Sequence, residues 1–211
     1  VVAGDDPAFD HPTKFVGAVY TEAEAKAMGD ARGWTVAADG EHWRRVVASP
    51  APVRIVETSI VADLLDQGVT VICAGGGGSA VVESSNGLQG VEAVVDKDHV
   101  AALLALELGA DMLVLLTDVP AVVADYSTPR AHPLGHVTVE SLADQQFAAG
   151  SMGPKVAAAC RFASESGGTA AIGSLDDITA VLAGQAGTQI TAGSPSRTPV
   201  RPTESSAHDD P

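Results

Sequence analysis

The chain has 211 residues, enough for one good-sized domain or two small ones, and its 45% hydrophobic content can fill a large core. Acids outnumber bases 27 to 12, a formal charge of −15; this opposes unspecific nucleic-acid binding, which needs Lys and Arg to displace counterions. A signal peptide and any run of about 18 apolar residues are both missing from the sequence, so a cytoplasmic protein with no membrane span is expected.

Aromatic residues make up only 4% of the chain, so the core must be built from Ala, Val, Leu and Ile. At the head, Val1–Ala3 reads as a strand that begins in mid-run, with its partners expected upstream. "TEAEAKA" reads as a charged surface helix carrying Lys26. Residues 55–67, "IVETSIVADLLDQ", carry apolar residues at helical spacing, and Gly68 stops them. "VTVICA" (69–74) is a short continuous β-branched run, the mark of a strand covered on both faces. "GVEAVV" (90–95) is an apolar run ending at Asp96, and "HVAALLALELG" (99–109) is helical. "MLVLLT" (112–117) is a second buried strand. A helix is expected over 138–150, capped near Thr138 or Glu140, and another over 155–168 that closes on glycine. "TAAIG" (169–173) is a strand and "LDDITAVLAG" (175–184) a last helix. Such alternation predicts an α/β domain over residues 1–190 with a mostly parallel sheet, whose ligands sit beyond the carboxyl ends of the strands. Residues 191–211 are dense in Pro, Ser and Thr without periodicity, and are expected to be a disordered tail. Cys73 and Cys160, the only cysteines, are read as buried small hydrophobes.

Of the four lysines, Lys14, Lys97 and Lys155 stand in loop-like contexts beside Gly, Pro or Asp, where an ammonium group suits a phosphate. Each taken alone is as well read as a solvated surface lysine. Lys155, in "GSMGPK", stands where a helix begins, a position that favours anions. The four glycines of "CAGGGGS", Gly75, Gly76, Gly77 and Gly78, would let backbone amides approach an anion, or are simply a flexible turn; no P-loop pattern follows them. Thr117 and Asp118 end a strand, facing a ligand or capping the next turn. Arg44 and Arg45 suit an anion or a surface contact equally. The six histidines do not group at metal-ligand spacing, and no protein-bound zinc is predicted.

In this order, "DPAFDHPTKFVG", "RRVVASP", "IVETSIVADLLDQGVTVICAGGGG", "GVEAVVDKDHVAALLA", "LVLLTDVPAVVADY", "FAAGSMGPKVAAACRF" and Gly187-Thr188 resemble the carbamate kinases of the amino acid kinase family, across about residues 3–190. The resemblance implies a three-layer αβα sandwich, a homodimer, and phosphoryl transfer between ATP/ADP and carbamate or carbamoyl phosphate with Mg²⁺, in arginine catabolism. It implies that Lys14 meets the carbamoyl phosphate. Lys97, Asp98 and Lys155 would surround the transferring phosphoryl group, Thr117 and Asp118 would help form the nucleotide pocket, and Gly75–Gly78 would lie near the reacting phosphate. Asp96 or Asp98 would orient the ammonium groups or hold Mg²⁺ through water. Phosphoryl transfer asks little covalent help beyond in-line positioning and charge neutralisation.

The sequence also departs from this family. Phe15-Val16 stands where relatives read Pro-Ile, Ala48 where they read Pro, Ser79-Ala80-Val81 where they read Ile-Pro-Val, and Pro120 where they have Asp. The family's first strand and its glycine–asparagine turn have no counterpart here, so an N-terminally truncated domain is expected. The truncated head favours one alternative, an inactive remnant that binds nucleotide or a partner subunit; a sibling kinase acting on another acid, such as acetylglutamate or aspartate, is argued against by "VDKD" with "GSMGPK".

Overall fold

The computed structural model describes residues 1–147 and 152–193. The first half builds β1 (Lys14–Tyr20), α1 (Glu22–Arg32), β2 (Val36–Asp39) and β3 (His42–Val47), then α2 (Thr58–Asp66), β4 (Val81–Ser84) and β5 (Gly87–Gly90). The second half builds α3 (Lys97–Glu107), β6 (Met112–Thr117), β7 (Val123–Ala124), β8 (His132–Pro133), β9 (His136–Thr138) and α4 (Val139–Leu142). It ends with α5 (Met152–Ser166), β10 (Thr169–Ser174), α6 (Ile178–Leu182) and β11 (Thr188–Thr191).

The central sheet runs β6-β10-β11-β9. It is parallel between β6 and β10 and between β11 and β9, and antiparallel between β10 and β11. Side chains alternate across a strand, and β10 shows what that does here. Ala170 and Ile172 face the helix layer of α3 and α5 and join the main core. On the opposite face, a Cβ at Gly173 would come within 2.5 Å of Val181 on α6. The sheet is therefore sandwiched between α3 and α5 on one side and α6 on the other.

The expectation of an aliphatic core holds with one exception. Phe162 of α5 is the largest fully buried side chain, set among Ala158, Ala159 and Ala163, whose small size lets helix and sheet approach closely. A smaller cluster joins Val2, Ala80 and Val95 to Val100 of α3. Val1–Ala3 is not a strand: Val2 forms an isolated bridge to Pro52 and donates its amide to the Val81 carbonyl at 2.8 Å, so its described partners lie downstream rather than upstream.

Beside this core, β1, β3 and β2 form an antiparallel sheet covered by α1. These strands escape the apolar-run signal because their polar residues are half-buried by stacking. The Arg32 and Arg45 guanidinium groups lie 4.8 and 4.7 Å from the Trp34 ring centre, and Arg44 lies over Phe15.

Three further expectations need correction. Val69–Ala74 is not a strand: no neighbour pairs with it among the described residues, and Ile72 is 97% exposed. Without a covering layer Cys73 is exposed too, whereas Cys160 is half-buried against the main core, and burial pushes its thiol pKa up. The helix expected over 138–150 is confined, among the described residues, to Val139–Leu142. Thr138 caps it through a reciprocal pair with Ser141, and Ala143 and Gln145 close the last turn with three-residue hydrogen bonds before a polar stretch with no apolar stripe. Of the expected tail, Thr191 closes β11, and residues 194–211 lie outside the described residues.

Candidate active site

The segment that begins α3 organises the site. Asp96 is the cap of α3: its Oδ1 accepts from the Asp98 amide at 2.9 Å, satisfying one of the free donors of the first turn. Its Oδ2 accepts from Lys14 Nζ at 2.7 Å. Asp98, one residue past Lys97, is buried and receives Lys155 Nζ on both oxygens, at 3.1 and 2.9 Å. The two aspartates thus hold the two distant lysines, one from β1 and one from α5. The lysine between them is the least constrained of the three: Lys97 Nζ lies 3.9 Å from Asp98 Oδ2, with 59% of its side chain exposed.

Strand β3 fixes the Lys14–Asp96 pair from both sides. Lys14 is the first residue of β1, paired across the ladder with Val47. One residue on, the Ala48 carbonyl accepts from the Val94 amide at 2.9 Å, and Ser49 Oγ donates to the Val94 carbonyl at 2.9 Å. The end of one strand therefore positions both partners. Partial burial would raise the Asp96 carboxyl pKa, but the Lys14 hydrogen bond, the Asp98 amide, and the Lys14 and His99 charges outweigh it and hold it below its ordinary 3.8.

Lys14, Asp96, Lys97, Asp98 and Lys155 line one cavity of about 360 Å³ with Thr117 and Asp118. Thr117 ends β6, so the cavity opens beyond that strand's carboxyl end, as expected for a parallel pair. Asp118 is exposed and accepts from the Thr117 hydroxyl at 3.1 Å. The sequence reading missed the apolar wall: Ala121, Val123, Tyr126, Phe147 and Met152 line the same cavity. Tyr126, one of only two tyrosines and 73% exposed, was the available signal.

The glycine loop sits elsewhere. Gly75–Gly78 do not line the lysine cavity; Gly77 and Gly78 line a second one of about 440 Å³. The two cavities flank the same segment, because Gly77 lies against the Val95 carbonyl, where an added Cβ would come within 2.3 Å. Lys26 is the ordinary surface case, paired with Glu22 one turn away. Arg45 pairs with Glu92, and Arg44 with Asp39, so neither faces the lysine cavity.

Residues 12–174 match the profile of the amino acid kinase family. The chain belongs to the amino acid kinase family. Within that family it is 48% identical over 188 residues to the carbamate kinase of Haemophilus influenzae, covering 89% of this chain and 61% of that one. It is 46% identical over 195 residues to the carbamate kinase of Thermococcus kodakarensis, covering 90% and 62%. Among solved structures, carbamate kinase from Giardia lamblia bound to AMP-PNP superposes with a TM-score of 0.81 at 41% identity, covering 90% of this chain and 62% of that one. The chain thus spans about three-fifths of the length of the curated relatives it matches.

Proposed function

We propose that the site transfers a phosphoryl group between ATP/ADP and carbamate or carbamoyl phosphate. The observation that carries this is the convergence of three of the chain's four lysines on one cavity, two of them held by the aspartates that flank the third. In such a transfer charge spreads over the equatorial oxygens of the moving group, and positioned ammonium groups facing it supply most of the stabilisation. Lys155, held by Asp98, and Lys97, which is freer to move, neutralise the nucleotide phosphates and the transferring group. Lys14, held by Asp96, meets the carbamoyl end. Thr117, Asp118 and the apolar wall take the flat, apolar body of the nucleotide base.

The residues do not make a cage for Mg²⁺. Both Asp96 oxygens and both Asp98 oxygens are already engaged, and no group of three His, Cys, Asp or Glu side chains converges among the described residues. Mg²⁺ fits this chain only as an ion carried by the nucleotide's phosphates and water, and no step here runs through it. The resemblance, rather than the site, supports the homodimer, the cytoplasmic location and the role in arginine breakdown.

The test is ATP formation from ADP and carbamoyl phosphate. Lys97→Ala and Lys155→Ala are expected to abolish turnover and Lys26→Ala to leave it unchanged. Background-level ATP from the folded wild-type chain would refute the activity. A second reading, a nucleotide-binding remnant, is favoured by the placement of the glycine loop on the other cavity. Calorimetry with ADP separates the two readings: heat without turnover supports the remnant.

A further inference from the structure

The pair Gly187-Thr188 lies outside the lysine cavity, yet Thr188 is a fully buried polar residue. It opens β11, opposite Ile172 of β10. Gly187 lets it come so close: a Cβ there would lie 2.7 Å from the Ile172 carbonyl, on a backbone at φ +73. The Thr188 hydroxyl then makes two bonds away from its own strand. Its Oγ1 accepts from the Val122 amide at 3.0 Å and donates to the Leu134 carbonyl at 2.6 Å. Val122 and Leu134 are joined to each other as well, the Leu134 amide donating to the Val122 carbonyl at 2.7 Å.

These two residues are the root of the β7–β8 hairpin. The hairpin itself pairs only Val123 with Pro133 and Ala124 with His132, and an isolated ladder of that kind is marginal in water. Beyond it, Asp125 and Ser127 stand at φ +51 and +66 on either side of Tyr126, conformations that persist only where the surroundings hold them. Val122 and Leu134 pack into the main core, which keeps the root in place; the hydroxyl fixes its register. From this root come Ala121, Val123 and Tyr126, three members of the apolar wall of the lysine cavity. We infer that Thr188 is a positioning residue for that wall: its hydroxyl sets where the hairpin meets the base of the bound nucleotide. The inference rests on the proposed nucleotide reading of the cavity and deepens it. Because Thr188 does not line the cavity, it acts only through the hairpin and leaves the lysine end untouched.

The experiment compares Thr188→Val, which keeps the shape and removes the hydroxyl, with Thr188→Ser, which keeps the hydroxyl and removes a methyl group. Calorimetry measures the binding of ADP and, as a probe of the lysine end alone, of pyrophosphate. Amide hydrogen exchange is followed at Val122, with Phe162 of α5 as the core control. In Thr188→Val the Val122 amide and the Leu134 carbonyl are left buried without this partner, so ADP affinity should fall about tenfold or more and exchange at Val122 should quicken about tenfold or more. Pyrophosphate affinity and exchange at Phe162 should stay within about twofold, and Thr188→Ser should match the wild type in all four. Should Thr188→Val fail to fold, Thr188→Ala set against Thr188→Ser makes the same comparison at smaller volume. The inference is overturned if the variant without the hydroxyl binds ADP as the wild type does, if ADP and pyrophosphate weaken alike, if Thr188→Ser is as impaired as Thr188→Val, or if exchange at Val122 does not change. A wild-type chain that binds pyrophosphate but not ADP would refute the nucleotide reading, and exchange at Val122 then decides by itself whether Thr188 holds the wall.

Discussion

Removing the Lys155 ammonium group should cost stability as well as function. Lys155 and Asp98 have side chains 12% and 8% exposed, and Lys155 reaches both carboxylate oxygens at 3.1 and 2.9 Å. In Lys155→Ala the Asp98 carboxylate stays buried, and its nearest remaining cation is Lys97 Nζ at 3.9 Å. Breaking a buried pair from one side costs about 3–5 kcal/mol. Because the pair borders an open cavity that water can enter, the lower end, about 3 kcal/mol, is expected. The Lys97–Asp98 contact is long and mostly exposed, so Lys97→Ala should cost at most about 0.5 kcal/mol. Urea denaturation followed by far-ultraviolet circular dichroism measures both, and a double-mutant cycle with Asp98→Ala isolates the pair. A loss below about 1 kcal/mol in Lys155→Ala, with no coupling to Asp98→Ala, would refute the argument that burial makes this pair one-sided to break.

Gly77→Ala should destabilise by about 3 kcal/mol in thermal unfolding, since its Cβ would lie 2.3 Å from the Val95 carbonyl on a backbone at φ +126. Gly76→Ala, with open space at the same test position, should cost less than about 1 kcal/mol. Phe162→Ala should cost about 3–5 kcal/mol in urea denaturation, because it empties the centre of the α5–sheet core. The lowered carboxyl pKa of Asp96 means that its contribution is present above its ordinary 3.8 and is lost as pH falls below that value. Asp96→Asn should therefore lower stability at neutral pH and flatten the acid decline, in pH-dependent denaturation.

Much of the second half was legible in the sequence, and the reason is local consistency. In α3, β6, α5 and β10 a single apolar pattern coincides with a cap or a glycine stop, so propensity, periodicity and burial agree. The strands β1 and β3 were not legible. Lys14 and Arg45 read as loop or surface residues because their partners, Asp96 and Glu92, are distant in sequence, and so does Arg44, which lies over Phe15 of β1. The run Val69–Ala74 failed the other way: its composition states a strand, but a strand requires a neighbour. In the site, the lysines were found by their scarcity. Which aspartate holds which lysine was not, since that depends on how β3 and α5 approach the start of α3.

Both tryptophans of the chain, Trp34 and Trp43, lie in or beside the sheet formed by β1, β3 and β2, each stacked by a cation. Emission excited at the indole band is therefore an optical signal of that sheet alone, and it is blind to the helices α3 and α5. Should the sheet melt before the sandwich, the fluorescence trace will fall at lower denaturant than the dichroism trace, and the gap between the two midpoints will report how independently the two parts unfold.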